Sequence, residues 1–333
     1  MRTIEVNIPG KIIISGEHAV VHGCPAIATP CDIFLKGQFS PFTSQKLTVT
    51  LPNLNESKTL DFIEIRNCYL HNLENLSRFT AGKLNVSRVL ERSTDLIFHT
   101  FHHLNQKFRF PYGGEIVITS DIPIKSGMGS SAATIIAVIK LLREEFSLII
   151  SDIEIFRLAR KLENLQHGRS SGIDPATIVN SQEIYYLDGK ISTLNFKPTP
   201  LKRYIIDTGK PKSTTGECVA KVNDLFSNQL FGSQLRRQFS SVTEKLKESL
   251  ERGRVDQTIA LIRTNNLLLK KIGVVPGRVF EFSRKVEQNL AGAFKLCGAG
   301  SISGDKGGIG VIFSEQSPTA LCDEFGYKIL ASS

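Results

Sequence analysis

The sequence predicts an α+β protein of two domains, and three observations carry that prediction. At 333 residues, with 41% hydrophobic and 22% charged, the chain has an ordinary globular composition and room for two substantial cores. Its first part mixes alternating, strand-like stretches with helical ones around a strand, Gly/Ser turn and helix unit. After Phe196-Lys197-Pro198-Thr199-Pro200 the pattern changes to long helical stretches interrupted by short strands, which sets the domain boundary, 1–195 and 196–333.

In chain order, the run Pro9 to Gly23 places Lys11, the pair Glu17-His18 and the turn-forming Gly10, Gly16 and Gly23 around one apolar strand. Alternating stretches near Leu47 to Leu51 and Phe62 to Cys68 predict further strands, and a helix is expected over about Lys83 to Leu104. The apolar strand Glu115 to Thr119 then leads through Asp121 to Ser131 into a helix over Ala132 to Phe146. Helical spacing returns over Asp152 to Gln166 and Pro175 to Asn180, followed by a hairpin, Glu183 to Leu194, that turns at Asp188-Gly189. Tyr204 to Gly216 reads as strand, turn and helix start; helices follow over roughly 216–231, 234–251, 255–272 and 277–291, and a strand over Ile309 to Phe313. No internal repeat or low-complexity tract appears.

Two of these stretches carry chemistry on local grounds. Glycines allow a tight turn and close approach to a ligand, while a helix N-terminus offers unpaired N–H groups and partial positive charge. The run Lys125-Ser126-Gly127-Met128-Gly129-Ser130-Ser131, between a strand and a helix, therefore describes a phosphate cradle. It is neither a Walker loop, lacking Lys-Ser/Thr after its last glycine, nor a dinucleotide fingerprint. The plainer alternative makes Ser130 or Ser131 an ordinary helix cap. Further on, Ile155, Phe156, Ala159 and Leu162 recur at helical spacing and set Glu163 beside a buried stripe, where a carboxylate calls for a cation. Asp174-Pro175, taken alone, reads equally as a helix cap followed by proline at the first helical position.

These motifs, in this order, resemble the signatures of the GHMP small-molecule kinases. The run Pro9 to Gly23 is similar to the first signature, and its Gly16-Glu17-His18-Ala19-Val20-Val21-His22-Gly23 portion to the branch that phosphorylates mevalonate. Pro123 to Ala132 resembles the second, with Met128 in place of a leucine and Lys125 where the family often has glycine. Glu163 and Asp174 match a Glu-x(10)-Asp region that ends in Ser-Gly-Ile-Asp. Lys295-Leu296-Cys297-Gly298-Ala299-Gly300 resembles the third signature, beyond which the glycine run gives way to Ser301-Ile302-Ser303-Gly304-Asp305-Lys306 before Gly307-Gly308.

The resemblance implies a two-lobed fold with nucleotide and acceptor between the lobes, and ATP with Mg²⁺ as the phosphoryl source. It implies ATP phosphates over Lys125 to Ser131, Mg²⁺ held by Ser131 and Glu163, Asp174 as the base on the primary hydroxyl of mevalonate, and Lys11 beside it. Glu17, His18, Lys212 and Thr214 would orient the acceptor; for Lys212 and Thr214 a solvated lysine and a helix cap are equally open. A homodimer is compatible with the family. Two other readings remain: a phosphomevalonate or homoserine kinase, and a non-catalytic binding protein on the same fold.

Charge and cysteine usage narrow the setting. The net charge of +9 suits anionic substrates; the basic residues are scattered without interleaved aromatics, so no nucleic-acid partner is expected. Six cysteines without Cys-x-x-Cys spacing and without a signal peptide are expected as reduced thiols of a cytoplasmic enzyme. The apolar run from Lys11 to Val21 is short and contains Glu17 and His18, so no membrane span is expected.

Overall fold

The computed structural model describes residues 2–123, 126–168 and 170–333. In chain order these form β1 (Ile4–Ser15), β2 (Ala26–Pro41), β3 (Lys46–Leu51), β4 (Glu56–Asp61), α1 (Phe62–Thr80), α2 (Ser93–Phe108), β5 (Gly114–Ser120) and α3 (Ser130–Glu145). There follow α4 (Asp152–Leu162), α5 (Asn164–His167), α6 (Ile173–Asn180), β6 (Ile184–Leu187), β7 (Lys190–Thr193), β8 (Lys202–Asp207), α7 (Thr215–Ser227) and α8 (Gln229–Arg252). The last elements are α9 (Val255–Lys271), α10 (Gly277–Leu290), β9 (Ala293–Leu296), β10 (Ile309–Ser314), α11 (Thr319–Phe325) and β11 (Lys328–Ser332). The α+β class read from the sequence is the class observed.

The chain divides into two compact units, each drawn from separated stretches. One holds Phe34–Pro123 and Gly129–Asn180 together with the chain's beginning up to Gly10; the other holds Lys11–Ile33 and Ser181–Ser333 with the short stretch that ends at Met128.

In the first unit, β3 pairs antiparallel with β4 and parallel with β5, and β5 pairs antiparallel with the Leu35–Pro41 half of β2. Leu47, Val49 and Leu51 are buried at every second position of β3, as a sheet with one covered face requires. Helix α2 packs on β3, and α3 packs against α2, α4 and α6. Apolar residues line α3 on every side, Ile135 to Ile139 among them, which makes it the unit's internal helix.

Two local expectations are corrected here. Phe62 to Cys68, whose alternation suggested a strand, opens α1: Asp61 accepts from the Ile63 and Glu64 N–H groups and Glu64 returns the bond to Asp61, a complete capping box. Ile65, Tyr69 and Asn72 are then buried at helical spacing. The helix expected from Lys83 starts instead at Ser93, where Asp95 accepts from the Arg92 N–H, after a short 3-10 turn at Val86–Arg88.

The second unit contains an antiparallel sheet in the order β11, β8, β10, β9, with β9 and β10 buried along their whole length. Helices α9 and α10 cover β9, and the Phe282 ring meets those of Phe294, Phe325 and Tyr327 at 4.9–5.2 Å in edge-on geometry. The β6–β7 hairpin turns at Asp188-Gly189, as the sequence predicts, and pairs with Ala26–Ala28 of β2. Among the described residues no helix is long and apolar enough to cross a membrane.

The contact of α1 with α2 has a pH-dependent component. His99 is 2% exposed and its ring lies 4.2 Å from that of Tyr69; burial, with the charges of His103 and His102, pulls its pKa down to about 3. The unfolded chain takes up this proton near the ordinary value of 6.5 and the folded chain does not. The stability it contributes is present above that value and lost as pH falls towards 3. Thermal melts followed by circular dichroism at pH 7 and pH 5 are expected to show a smaller loss of Tm for His99→Phe than for the unaltered chain. Equal losses would remove His99 from the account.

Candidate active site

In the second unit, β1 runs into a turn that only glycine can make. Gly16 has φ +95°, and a Cβ there would lie 2.4 Å from the Pro25 carbonyl oxygen. His18 follows at φ 59°, ψ −42°, a backbone conformation that a side-chain-bearing residue keeps only when its surroundings over-determine it. A 3-10 turn, Ala19–His22, and Gly23 at φ 79° complete the loop.

The side chains of this loop are fixed individually. Lys11 is 2% exposed; its Nζ donates to the Gly127 carbonyl at 2.8 Å and its backbone N–H to the Met128 carbonyl at 3.0 Å. Glu17 is 1% exposed and its carboxylate pairs with Lys295 Nζ, itself 0% exposed. His18 Nε2 lies 3.0 Å from the Ala299 carbonyl oxygen, which can only accept, so Nε2 carries the proton and Nδ1 is left as an acceptor. Burial pulls the His18 pKa down to about 4, so the ring is neutral at pH 7.

The glycine loop reaches α3 through Gly127 (φ 79°) and Gly129 (φ 78°). Gly127 packs directly on the segment after β9, where a Cβ on it would come within 2.9 Å of Gly298 Cα. Gly129 occupies the N-cap position of α3 and no side chain caps the helix. Ser130 and Ser131 therefore stand inside the first turn, not at the cap, and among the described residues no side chain caps the first N–H groups of α3, the end of a helix that favours an anion. Ser126 and the buried Met128 lie in the same stretch; Lys125 falls outside the described residues.

In the first unit, Ser131 and Glu163 are brought together. Ser131 Oγ lies 3.3 Å from Glu163 Oε1 and 3.2 Å from His167 Nε2, and Ser170 Oγ donates to Glu163 Oε2 at 2.6 Å. Glu163 is 2% exposed, at the break between α4 and α5. A carboxylate and a hydroxyl facing each other are hard oxygen donors, and Mg²⁺ on a nucleotide takes only one or two protein oxygens beside phosphate and water. The residues present fit that ion. Asp174 lies in the first turn of α6, which starts at Ile173 with Gly172 accepting from the Ala176 N–H, so the cap position is not its own. His167 and Ser170 were missed by sequence reasoning; the only signal for His167 was its place four residues after Glu163, on the same helical face.

The last segments lie in the second unit. Thr214 caps α7 in a box with Glu217, and Lys212 is exposed with its aliphatic stem against Gly304. The serines that interrupt the glycine run tie the two loops together. Ser213 N–H donates to Ser301 Oγ at 3.1 Å, Ser213 Oγ and Ser303 Oγ are 3.0 Å apart, and Ile302 N–H donates to Ser213 Oγ at 3.2 Å. The departure from the glycine run thus supplies hydroxyls that hold the Lys212 to Thr214 segment.

A family model described as the GHMP kinases N terminal domain matches residues 95–182. The chain is similar to the mevalonate kinase of Archaeoglobus fulgidus, 30% identical over 294 residues that cover 88% of each chain. It is 29% identical over 313 residues to the mevalonate kinase of Pyrococcus horikoshii, covering 90% of this chain and 87% of that one. In fold it is similar to the crystal structure of the Methanococcus jannaschii mevalonate kinase, with a TM-score of 0.80 at 23% identity over 99% of this chain and 98% of that one.

The glycine contact generates a test. Gly298→Ala adds a Cβ at φ +102° that would meet Gly127 Cα at 3.1 Å. Strain of about 1–3 kcal/mol is expected, read as a lower Tm together with at least tenfold weaker ATP binding by calorimetry. Unchanged ATP affinity would show that the loop does not need this approach.

Proposed function

Since the chain belongs to the GHMP kinases, enzymes that use ATP to phosphorylate small molecules, we propose that it phosphorylates mevalonate on its primary hydroxyl to give 5-phosphomevalonate. The observation that carries this reading is the likeness to curated mevalonate kinases along about nine-tenths of the chain, with identities near 30%. The Glu17-His18 turn, the uncapped start of α3 and the Ser131–Glu163 pair support it.

In this reading the α3 N-terminus and the glycine backbone from Gly127 to Ser131 receive the phosphates of ATP, with Lys125 at the start of that loop. Ser131 and Glu163 hold Mg²⁺, which when bound neutralises phosphate charge. Asp174 accepts the proton of the attacking hydroxyl. Lys11 contributes a fixed positive charge for the charge that builds on the transferring group. His18 presents Nδ1 as an acceptor to the substrate, Glu17 fixes the turn that aims it, Thr214 helps to orient the substrate and Lys212 stands near its carboxylate. Phosphoryl transfer demands chiefly positioning and electrostatics, so this set is chemically sufficient.

Release of ADP from Mg²⁺-ATP, measured with mevalonate, phosphomevalonate, homoserine and galactose in turn, tests the assignment. Turnover on mevalonate is expected, and Asp174→Asn is expected to lower kcat by about 10²–10⁴-fold, the usual worth of a positioned general base. Preference for another alcohol would keep the family and change the acceptor; ATP binding without turnover on any would support a binding protein instead. Glu163→Gln is expected to raise the Mg²⁺ concentration for half-maximal rate at least tenfold with the protein still folded. An unchanged Mg²⁺ dependence would place the ion elsewhere.

A further inference from the structure

We propose that Lys295 is a positioning residue of the reaction, the buried counter-ion that holds Glu17 and, through it, the strained His18 in the geometry the acceptor requires. The inference rests on the proposed function for the identity of that acceptor.

The argument begins with the cost of the pair. Lys295 and Glu17 are both fully desolvated, and two charges taken out of water recover that cost only with very good geometry and satisfied neighbours. The neighbours are incomplete. Lys295 Nζ donates to the Ile13 carbonyl at 2.8 Å and lies 3.9 Å from Cys297 Sγ, while Glu17 Oε2 is buried without a hydrogen-bond partner among the described residues. A pair of apolar side chains of similar volume would serve stability as well or better. The pair is thus poorly explained as a device for stability alone.

Its location supplies the other explanation. Glu17 immediately precedes His18, whose backbone sits at φ 59°, and such strain persists only where several contacts enforce it. Lys295 restrains the turn before His18 through Ile13 and Glu17, and Ala299, four residues along the same segment, restrains the His18 ring through Nε2. Between them Gly298 lies against Gly127, the residue whose carbonyl accepts from Lys11 Nζ. Residues 295–299 thus brace the first signature and the glycine loop together, and Lys295 is the only charged side chain among them.

The paired substitution Glu17→Met with Lys295→Met tests this. It removes both charges at once and so avoids the unpaired buried charge that could prevent Lys295→Met alone from folding. Three readouts are expected together: a Tm within a few degrees of the unaltered chain, a KM for Mg²⁺-ATP within about threefold, and kcat/KM for mevalonate lowered at least a hundredfold. The paired substitution Glu17→Gln with Lys295→Gln, which keeps polar groups in both places, is expected to recover at least a tenth of that loss. A fourth readout needs no substrate: titration of the His18 ring followed by nitrogen NMR. Proton uptake near pH 4 in the unaltered chain is expected to move towards 6.5 in the Met pair, because a released ring loses the burial that holds its pKa down by more than it loses from the Ala299 bond, which raises it. A His18 titration unchanged in the Met pair, or mevalonate turnover within threefold of the unaltered chain, overturns the proposal. A shifted titration in a protein that phosphorylates some other alcohol upholds the role of Lys295 and retires only the choice of mevalonate.

Discussion

Backbone crowding at Gly127 and Gly298 is the constraint on which the arrangement of the second unit's loops depends. A Cβ on Gly127 would lie 2.9 Å from Gly298 Cα, closer than packed proteins tolerate, and a Cβ on Gly298 would lie a tight 3.1 Å from Gly127 Cα. With both side chains absent, the loop that enters α3 lies flat on the segment leaving β9. Lys11, from β1, then reaches the Gly127 carbonyl with its side chain and the Met128 carbonyl with its backbone. Three stretches far apart in sequence are therefore set in one arrangement by backbone contact, which is stiffer than contact between long side chains.

Around that framework the unit buries charge in a way that a purely structural core would avoid. Lys295 and Glu17 pair without access to water, and His18 is kept neutral by burial beside them. In the first unit Glu163 is almost completely covered, with Ser131 and Ser170 on its two oxygens. Hydroxyls that donate to a carboxylate orient it and favour its charged form.

How much of this was legible in the sequence depends on how local each feature is. The strand, glycine turn and helix around residues 115–146 could be read directly, because each element's determinants lie within it. The helical spacing of Ile155, Phe156, Ala159 and Leu162 placed Glu163 beside a buried stripe, and only packing decided that it is covered. Phe62 to Cys68 was misread because a short alternating run fits either period; the capping box formed by Asp61 and Glu64 decides for the helix. Asp174-Pro175 looks like a cap and is not one, since α6 begins a residue earlier, at Ile173. The bonds of Ser213 to Ser301 and Ser303 had no sequence signal, as hydroxyls some ninety positions apart give no pattern that marks them as partners.

By itself the sequence determined the α+β class, the family signatures in their order, and the places where glycine alone can carry the backbone, because steric limits on φ and ψ and hydrophobic periodicity act over a few residues. Only the tertiary structure decided that Glu17 meets Lys295, 278 positions away, that Ala299 takes the proton side of His18, and that Ser131 faces Glu163. The reason is physical: the charge state and reach of a side chain depend on what surrounds it after packing, and desolvation is a property of the folded neighbourhood that residue identity does not contain.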